Sequence, residues 1–106
     1  MAIAATEVVQ RCKDVLKGHY RSRLKGLILY GSMARDQGEV DSDIDLLVLL
    51  SRPFDYVEEL RRMVDLLYPI QLESERLISA KPAAIDEFEQ ERLQLYRNAK
   101  QEGVAL

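Results

Sequence analysis

Two aspartates separated by a single residue, Asp43 and Asp45, are the side chains in this sequence whose spacing points most directly to chemistry. In an extended chain, residues i and i+2 point to the same face, so a strand here would project both carboxylates together. Gly31 and Ser32 follow another apolar run earlier in the chain. A glycine lets a phosphate group approach the backbone closely, and a serine N–H and hydroxyl can bind its oxygens. These residues therefore suit a divalent metal ion and a polyphosphate.

Two apolar runs would position these side chains. Leu27–Tyr30 is short and bounded by glycines, which favours a buried strand. Asp43–Leu50 predicts a second strand, and its continuous apolar part indicates cover on both faces. Between them we expect a brief helix over Ser32–Asp36, with Ser32 as its N-cap, and a polar loop over Gln37–Ser42.

The rest of the chain predicts helices around this sheet, because apolar residues recur there at three- and four-residue spacing. We expect one helix from Ala2 to about Leu24 and a second over Phe54–Leu67, which ends at Tyr68-Pro69. A third helical region runs from Lys81 to about Glu102, with a break near Glu91–Leu93. The two further strands are predicted over Ile70–Ile78 and, as a last short strand, over Val104–Leu106. The expected fold class is α/β (α+β), with a mixed sheet of three to four strands flanked by helices.

Composition narrows the class of protein. A length of 106 residues predicts one domain over residues 1–106, and the hydrophobic fraction of 47% is that of an ordinary globular protein. The net charge of −3 argues against direct nucleic-acid binding. A single cysteine leaves no internal disulfide, and the apolar runs are too short to span a membrane, so a cytoplasmic location is expected.

The segments Gly31–Arg35 and Asp41–Val48 read GSMAR and DSDIDLLV. Together they resemble the signature of the minimal nucleotidyltransferases (MNT type) of the DNA polymerase beta superfamily. The resemblance implies a polymerase-beta-like fold and a Mg²⁺-dependent transfer of a nucleoside monophosphate from a triphosphate, ATP being the expected one, to a hydroxyl group. It matches Asp43 and Asp45 to the metal-binding catalytic aspartates, with one or two Mg²⁺ ions. It also matches Gly31 and Ser32 to the phosphate-holding turn, and Arg35 is expected to assist phosphate binding.

The family usually adds a third carboxylate on the next strand, where it helps to deprotonate the acceptor hydroxyl. In the predicted third strand the aligned position holds Gln71, which cannot act as a base, and Glu73 on the same predicted face is the candidate catalytic substitute. Small members of the family resemble antitoxins whose partner is a helical HEPN-type toxin. The resemblance therefore implies a protein partner with a tyrosine hydroxyl acceptor, or a second copy of the chain.

Three other interpretations stay open. Asp43 and Asp45 could be solvated carboxylates at a strand end. The chain could be a catalytically degraded nucleotidyltransferase fold that neutralises its partner by binding alone, which the Gln71 position favours. A transferase acting on small molecules is disfavoured, because the sequence has no room for a separate acceptor-binding domain.

Overall fold

The computed structural model describes residues 3–31 and 43–106, which form four α-helices and four strands. In chain order these are α1 (Ala5–Tyr20), β1 (Leu24–Tyr30), β2 (Ile44–Leu50), α2 (Tyr56–Gln71), β3 (Ile78–Ala84), α3 (Ile85–Glu89), α4 (Gln94–Glu102) and β4 (Val104–Ala105). A short 3-10 turn, Arg21–Arg23, joins α1 to β1.

The strands form one mixed sheet in the order β3-β2-β1-β4. β1 runs antiparallel to both β2 and β4, whereas β2 and β3 are parallel and are joined through α2. This arrangement confirms the predicted mixed sheet flanked by helices. β2 is an inner strand, and its last five residues are all buried, as its continuous apolar run predicts.

Alternation along β1 and β2 divides the sheet into two faces. Ile44, Leu46 and Val48 point to α1 and α2 and belong to the larger core cluster, and we call this side the helix-covered face. Leu47 and Leu49 point the other way and pack in a smaller cluster formed with α3 and α4, which we call the site face. The larger cluster also includes Val8, Cys12, Leu16, Tyr20, Leu27, Leu50, Met63, Leu67, Ile70 and Ala80.

One buried carboxylate lies between α1 and α2. Glu59 is only 6% exposed, and its Oε1 accepts a hydrogen bond of 2.9 Å from the Tyr20 hydroxyl. Arg62 Nε lies 3.5 Å from the same oxygen, and Arg23 lies 3.8 Å from the other. A buried carboxylate is tolerated when it is paired and hydrogen-bonded, so these three side chains offset the cost of burying Glu59.

The prediction that the second long helix ends at Tyr68-Pro69 is wrong. α2 continues through Pro69 to Gln71 and buries Ile70 in the larger cluster. Because Pro69 falls in the last turn, its missing N–H affects only one hydrogen bond near the helix end. The burial of Ile70 beyond it favours the continued helix.

The predicted strand over Ile70–Ile78 is also wrong, since only Ile78 lies in β3. Gln71 ends α2, and its side chain closes the turn that follows: Ile78 N donates to Gln71 Oε1 at 2.7 Å, and Gln71 Nε2 donates to the Arg76 carbonyl at 3.0 Å. β3 itself reads ISAKPAA and was expected to be partly helical. Its strand conformation comes from pairing with β2, and Pro82 is tolerated because β3 lies at the edge of the sheet.

The C-terminal elements follow the prediction more closely. α3 and α4 are separated at residues 90–93, close to the expected break, and β4 pairs with β1 as a short last strand. The predicted helix over Ser32–Asp36 and loop over Gln37–Ser42 lie outside the described residues. Within residues 3–31 and 43–106, no helix combines the length and the apolar character needed to cross a membrane.

Candidate active site

The site is built around the start of β2. Asp43 immediately precedes the strand and is exposed, and Asp45 is its second residue and is half-buried. The alternation of β2 places Asp45 on the same side as Leu47 and Leu49, which is the site face. Asp43 precedes it by two residues, so both carboxylates belong to this face at the start of β2.

Pairing across the sheet defines which residues flank Asp45. Tyr30 of β1 lies opposite Asp45 on one side, and Ser79 of β3 lies opposite it on the other. In the next row, Leu47 is flanked by Ile28 and Lys81. Register partners share a face, so Tyr30, Ser79 and Lys81 surround Asp45 on the site face.

Gly31 turns the chain directly beside this carboxylate. Its φ is +77°, a left-handed conformation that residues with a side chain rarely adopt. A Cβ atom built on Gly31 would lie only 2.5 Å from Oδ2 of Asp45. The backbone conformation therefore favours glycine here, and a side chain would also displace the Asp45 carboxylate. This close approach brings the predicted phosphate-holding turn against the predicted metal ligand.

The charge on Asp45 is unfavourable in the protein alone. Burial raises the pKa of Asp45, the neighbouring Asp43 raises it further, and the Lys81 ammonium lowers it in part. An added cation would stabilise the ionised carboxylate of Asp45, because it offsets both the desolvation of that carboxylate and its repulsion with Asp43. Two carboxylates with hard oxygen donors fit Mg²⁺, which usually takes one or two carboxylates and completes its shell with water and phosphate oxygens.

Tyr30 adds a second polar group beside Gly31. Its hydroxyl is buried, and no hydrogen-bond partner for it is found among the residues described. Burial raises the pKa of Tyr30 to about 12, with smaller contributions from Asp45 and Tyr56. Such a hydroxyl stays protonated at neutral pH, so it can donate a hydrogen bond beside the carboxylate but cannot serve as a base.

Comparison with known proteins assigns the chain to a family. The profile of the nucleotidyltransferase domain family matches residues 9–106. This chain belongs to that family. Its relative MJ0604 from Methanocaldococcus jannaschii, whose name places it among protein adenylyltransferases, is 37% identical over 79 residues, covering 71% of this chain and 79% of that protein.

A solved structure shows the same fold. A chain in a crystal structure of a mutant toxin–antitoxin complex, MntA-HpeT, matches this nucleotidyltransferase domain with a TM-score of 0.56. The match covers 98% of this chain and 72% of that chain at 16% sequence identity. At this identity the likeness establishes the fold, including the mixed sheet with its flanking helices.

Of the site residues predicted for this nucleotidyltransferase domain, the structure brings together Asp43, Asp45 and Gly31. Ser32 and Arg35 lie outside the described residues, so their assignment to phosphate binding stays a prediction. Apart from the undescribed segment, no third His, Cys, Asp or Glu joins the two aspartates in a group able to hold a metal ion.

Glu73 is not brought to this site. The strand on which its catalytic assignment rested does not exist, and Glu73 lies in the turn after α2. Its carboxylate forms an ion pair of 2.7 Å with Arg11 of α1, and its carbonyl accepts a hydrogen bond from Ile3. α1 packs on the helix-covered face, so Glu73 and Asp45 belong to opposite sides of the sheet. The position opposite Asp45 on the next strand is Ser79, not Gln71.

Sequence reasoning missed Tyr30, Ser79 and Lys81. Tyr30 ends the apolar run before the Gly-Ser turn, which is a signal that could have placed it beside the site. Ser79 and Lys81 alternate in β3, but the alanines and the proline around them gave no strand pattern. Their position depends on the parallel register with β2, which is a long-range property.

Proposed function

We propose that this nucleotidyltransferase domain binds a nucleoside triphosphate, ATP being the first candidate, and transfers its nucleoside monophosphate to a hydroxyl group on another protein. One observation carries the proposal. The Asp45 carboxylate, two residues after Asp43, lies against a left-handed Gly31, which supports a metal site contiguous with a phosphate-binding turn. The proposed setting is the cytoplasm.

Each residue has a separate task in this proposal. Asp43 and Asp45 would hold Mg²⁺, which supplies positive charge to the triphosphate during transfer. Gly31 lets the phosphates approach the backbone, and Ser32 and Arg35 would bind their oxygens. The acceptor oxygen forms a bond to the α-phosphorus, the bond from that phosphorus to the β-phosphate bridging oxygen breaks, and pyrophosphate leaves. The acceptor proton passes to water, since no described carboxylate of β3 is there to take it.

A protein acceptor is supported by two comparisons. The relative MJ0604 is named as an enzyme that adenylylates proteins, and the matching solved structure comes from a toxin–antitoxin complex. We therefore propose a tyrosine hydroxyl of a HEPN-type toxin as the acceptor. A second copy of this chain is the other candidate partner.

Nucleotide binding is tested by calorimetric titration with Mg²⁺ and a non-hydrolysable ATP analogue. We expect saturable, Mg²⁺-dependent binding by the native chain and none by Asp43→Asn/Asp45→Asn. Asp65→Asn is the matched control, because Asp65 is an exposed aspartate on α2 and lies away from the site face. Absence of binding by the native chain would reject the proposal.

Transfer is tested by co-expressing the chain with the product of a neighbouring reading frame that encodes a small helical protein. Mass spectrometry of that product should show one added nucleoside monophosphate on a tyrosine. The modification should disappear with Asp43→Asn/Asp45→Asn and persist with Asp65→Asn. An unmodified product together with intact nucleotide binding would argue against transfer to this partner.

A second candidate function is partner neutralisation by binding alone. The residue opposite Asp45 on β3 is Ser79, so the next strand offers no carboxylate to assist deprotonation of an acceptor. This candidate predicts that the chain protects cells from the partner equally well with Asp43→Asn/Asp45→Asn. The transfer proposal predicts that this double variant gives no protection.

A further inference from the structure

β3, the strand beside Asp45, carries a lysine on the site face, whereas a metal site calls for a carboxylate there. β3 places Ser79 directly opposite Asp45 and Lys81 opposite Leu47, both on the site face. The remaining residues of β3 are Ile78, Ala80, Pro82, Ala83 and Ala84. β3 therefore brings no carboxylate to this end of the sheet, and its one charged side chain is positive.

Lys81 lies on the same face of the sheet as Asp45. Its neighbours Ala80 and Ala83 pack on opposite faces, in the larger and the smaller cluster respectively, which fixes the alternation of β3. Lys81 is thereby held on the Asp45 side, two residues along β3 from Ser79, which lies directly opposite Asp45.

Two divalent ions in one site need more negative charge than residues 3–31 and 43–106 bring to Asp45. In two-metal sites the ions lie about 3.5–4 Å apart, so carboxylates must bridge them and further anionic donors must hold each ion. Here the described part of the chain brings no third carboxylate to the two aspartates. A serine hydroxyl is a weak replacement for a carboxylate, and a nearby ammonium repels a second divalent ion.

We propose that the site binds a single divalent cation with its nucleotide, and that the Lys81 ammonium supplies the positive charge on the β3 side where a second ion would otherwise lie. This inference rests on the proposed nucleotide binding. In the absence of nucleotide Lys81 neutralises part of the Asp45 charge. When nucleotide is bound, the Lys81 ammonium would face its phosphates, and the metal ion would link those phosphates to Asp43 and Asp45.

The first experiment counts the ions. The full chain is dialysed to equilibrium against Mn²⁺ and a non-hydrolysable ATP analogue, and the excess of each is measured in the protein chamber. One Mn²⁺ per bound nucleotide is the expected result. Two Mn²⁺ per bound nucleotide would overturn the inference and leave the proposed function intact. No bound nucleotide would reject both.

A designed variant tests whether the side chains of β3 determine the number of divalent ions bound per nucleotide. Ser79→Asp/Lys81→Met places a carboxylate opposite Asp45 and removes the cation while keeping the length of its side chain. We expect this variant to retain two Mn²⁺ per nucleotide, and the matched Ser79→Asn/Lys81→Met to retain one. Circular dichroism in the same buffer checks that both variants are folded. A folded Ser79→Asp/Lys81→Met chain that retains one ion would contradict the role given to β3.

Lys81 itself is tested without nucleotide. If its ammonium competes with a metal ion for Asp45, Lys81→Met should bind Mn²⁺ about fivefold more tightly than the native chain, as expected for loss of one like charge at a partly solvated site. Lys25→Met, on the exposed part of β1, should leave the affinity unchanged. An unchanged affinity in Lys81→Met would show that Lys81 is only a solvated edge-strand lysine, and would overturn its part in the inference.

Discussion

The two faces of the sheet differ in how completely their polar groups are satisfied. On the helix-covered face, Tyr20 and Glu59 are buried, and they meet each other and two arginines. On the site face, Asp45 is half-buried beside another aspartate, and the buried Tyr30 hydroxyl has no partner among the described residues. Among the described residues, the buried polar groups of the helix-covered face satisfy one another, and those of the site face do not.

This difference separates the residues that stabilise the fold from those that would bind substrate. A satisfied polar network is costly to disrupt, because each removed group leaves a buried partner behind. The Asp45 carboxylate, by contrast, becomes favourable when a cation binds, because the cation offsets both its burial and its repulsion with Asp43. We therefore expect substitutions on the two faces to change the free energy of unfolding by different amounts. At Asp45 the substitution should raise it, whereas substitutions in the helix-covered face should lower it.

The largest loss is expected from the core of the helix-covered face. Leu46 is fully buried in the larger cluster, so Leu46→Ala should lower the free energy of unfolding by about 2–5 kcal/mol. Urea denaturation measures this difference. Leu72→Ala is the control, since Leu72 is mostly exposed after α2, and it should change stability by less than about 0.5 kcal/mol.

The two buried tyrosine hydroxyls give a matched pair. Tyr20→Phe removes the donor to Glu59 and should lower the free energy of unfolding by about 1.5–3 kcal/mol, as for hydrogen bonds to charged groups. Tyr30→Phe removes a hydroxyl without a described partner and should leave stability unchanged or slightly higher. Equal losses in the two variants, measured in urea, would contradict the contrast between the faces.

Asp45→Asn should raise the stability of the free protein by less than about 1 kcal/mol, while abolishing Mg²⁺-dependent nucleotide binding. The substitution removes both the desolvated charge and its repulsion with Asp43. Thermal unfolding of the native chain and of Asp45→Asn, with and without Mg²⁺ and the ATP analogue, measures both effects. Without ligands the variant should be the more stable protein, and with them the native chain should be.

The Asp45 carboxylate should also make the stability of the protein depend on pH. Because the pKa of Asp45 is raised in the folded protein, the folded state holds the proton more tightly than the unfolded state. The native chain without Mg²⁺ should therefore gain stability, relative to Asp45→Asn, as pH falls from neutral through the folded pKa toward the ordinary carboxyl value. A difference that widens on acidification would contradict the assigned cause.

The smallest effect is expected at Glu73. Its ion pair with Arg11 is about half exposed, so Glu73→Gln should lower stability by only about 0.5 kcal/mol. The carboxylate lies across the sheet from Asp45, so we also expect any nucleotide transfer to keep its rate in this variant. A large loss of transfer with normal stability would restore Glu73 as a catalytic residue.

The sequence predicted the parts of the structure that depend on local pattern. β2 and the apolar run of β1 stood out because buried strands are continuous in apolar residues, and Gly31 stood out because a left-handed turn favours glycine. The helix pattern of α2 was visible, but its end was placed too early. Pro69 breaks a helix interior, and only the packing of Ile70 shows that a last turn still forms beyond it.

Sequence alone determined that two carboxylates would project together from one strand and that a glycine turn would follow another, because the i, i+2 spacing in a strand and the conformational freedom of glycine are local properties of the chain. The tertiary structure decided what stands opposite them. β3 is a strand only through its pairing with β2, and that parallel register puts Ser79 and Lys81 beside Asp45 while Glu73 remains with Arg11 across the sheet. Register between distant segments is set by burial of their shared faces, and residues 70–84 carry too little pattern to reveal it.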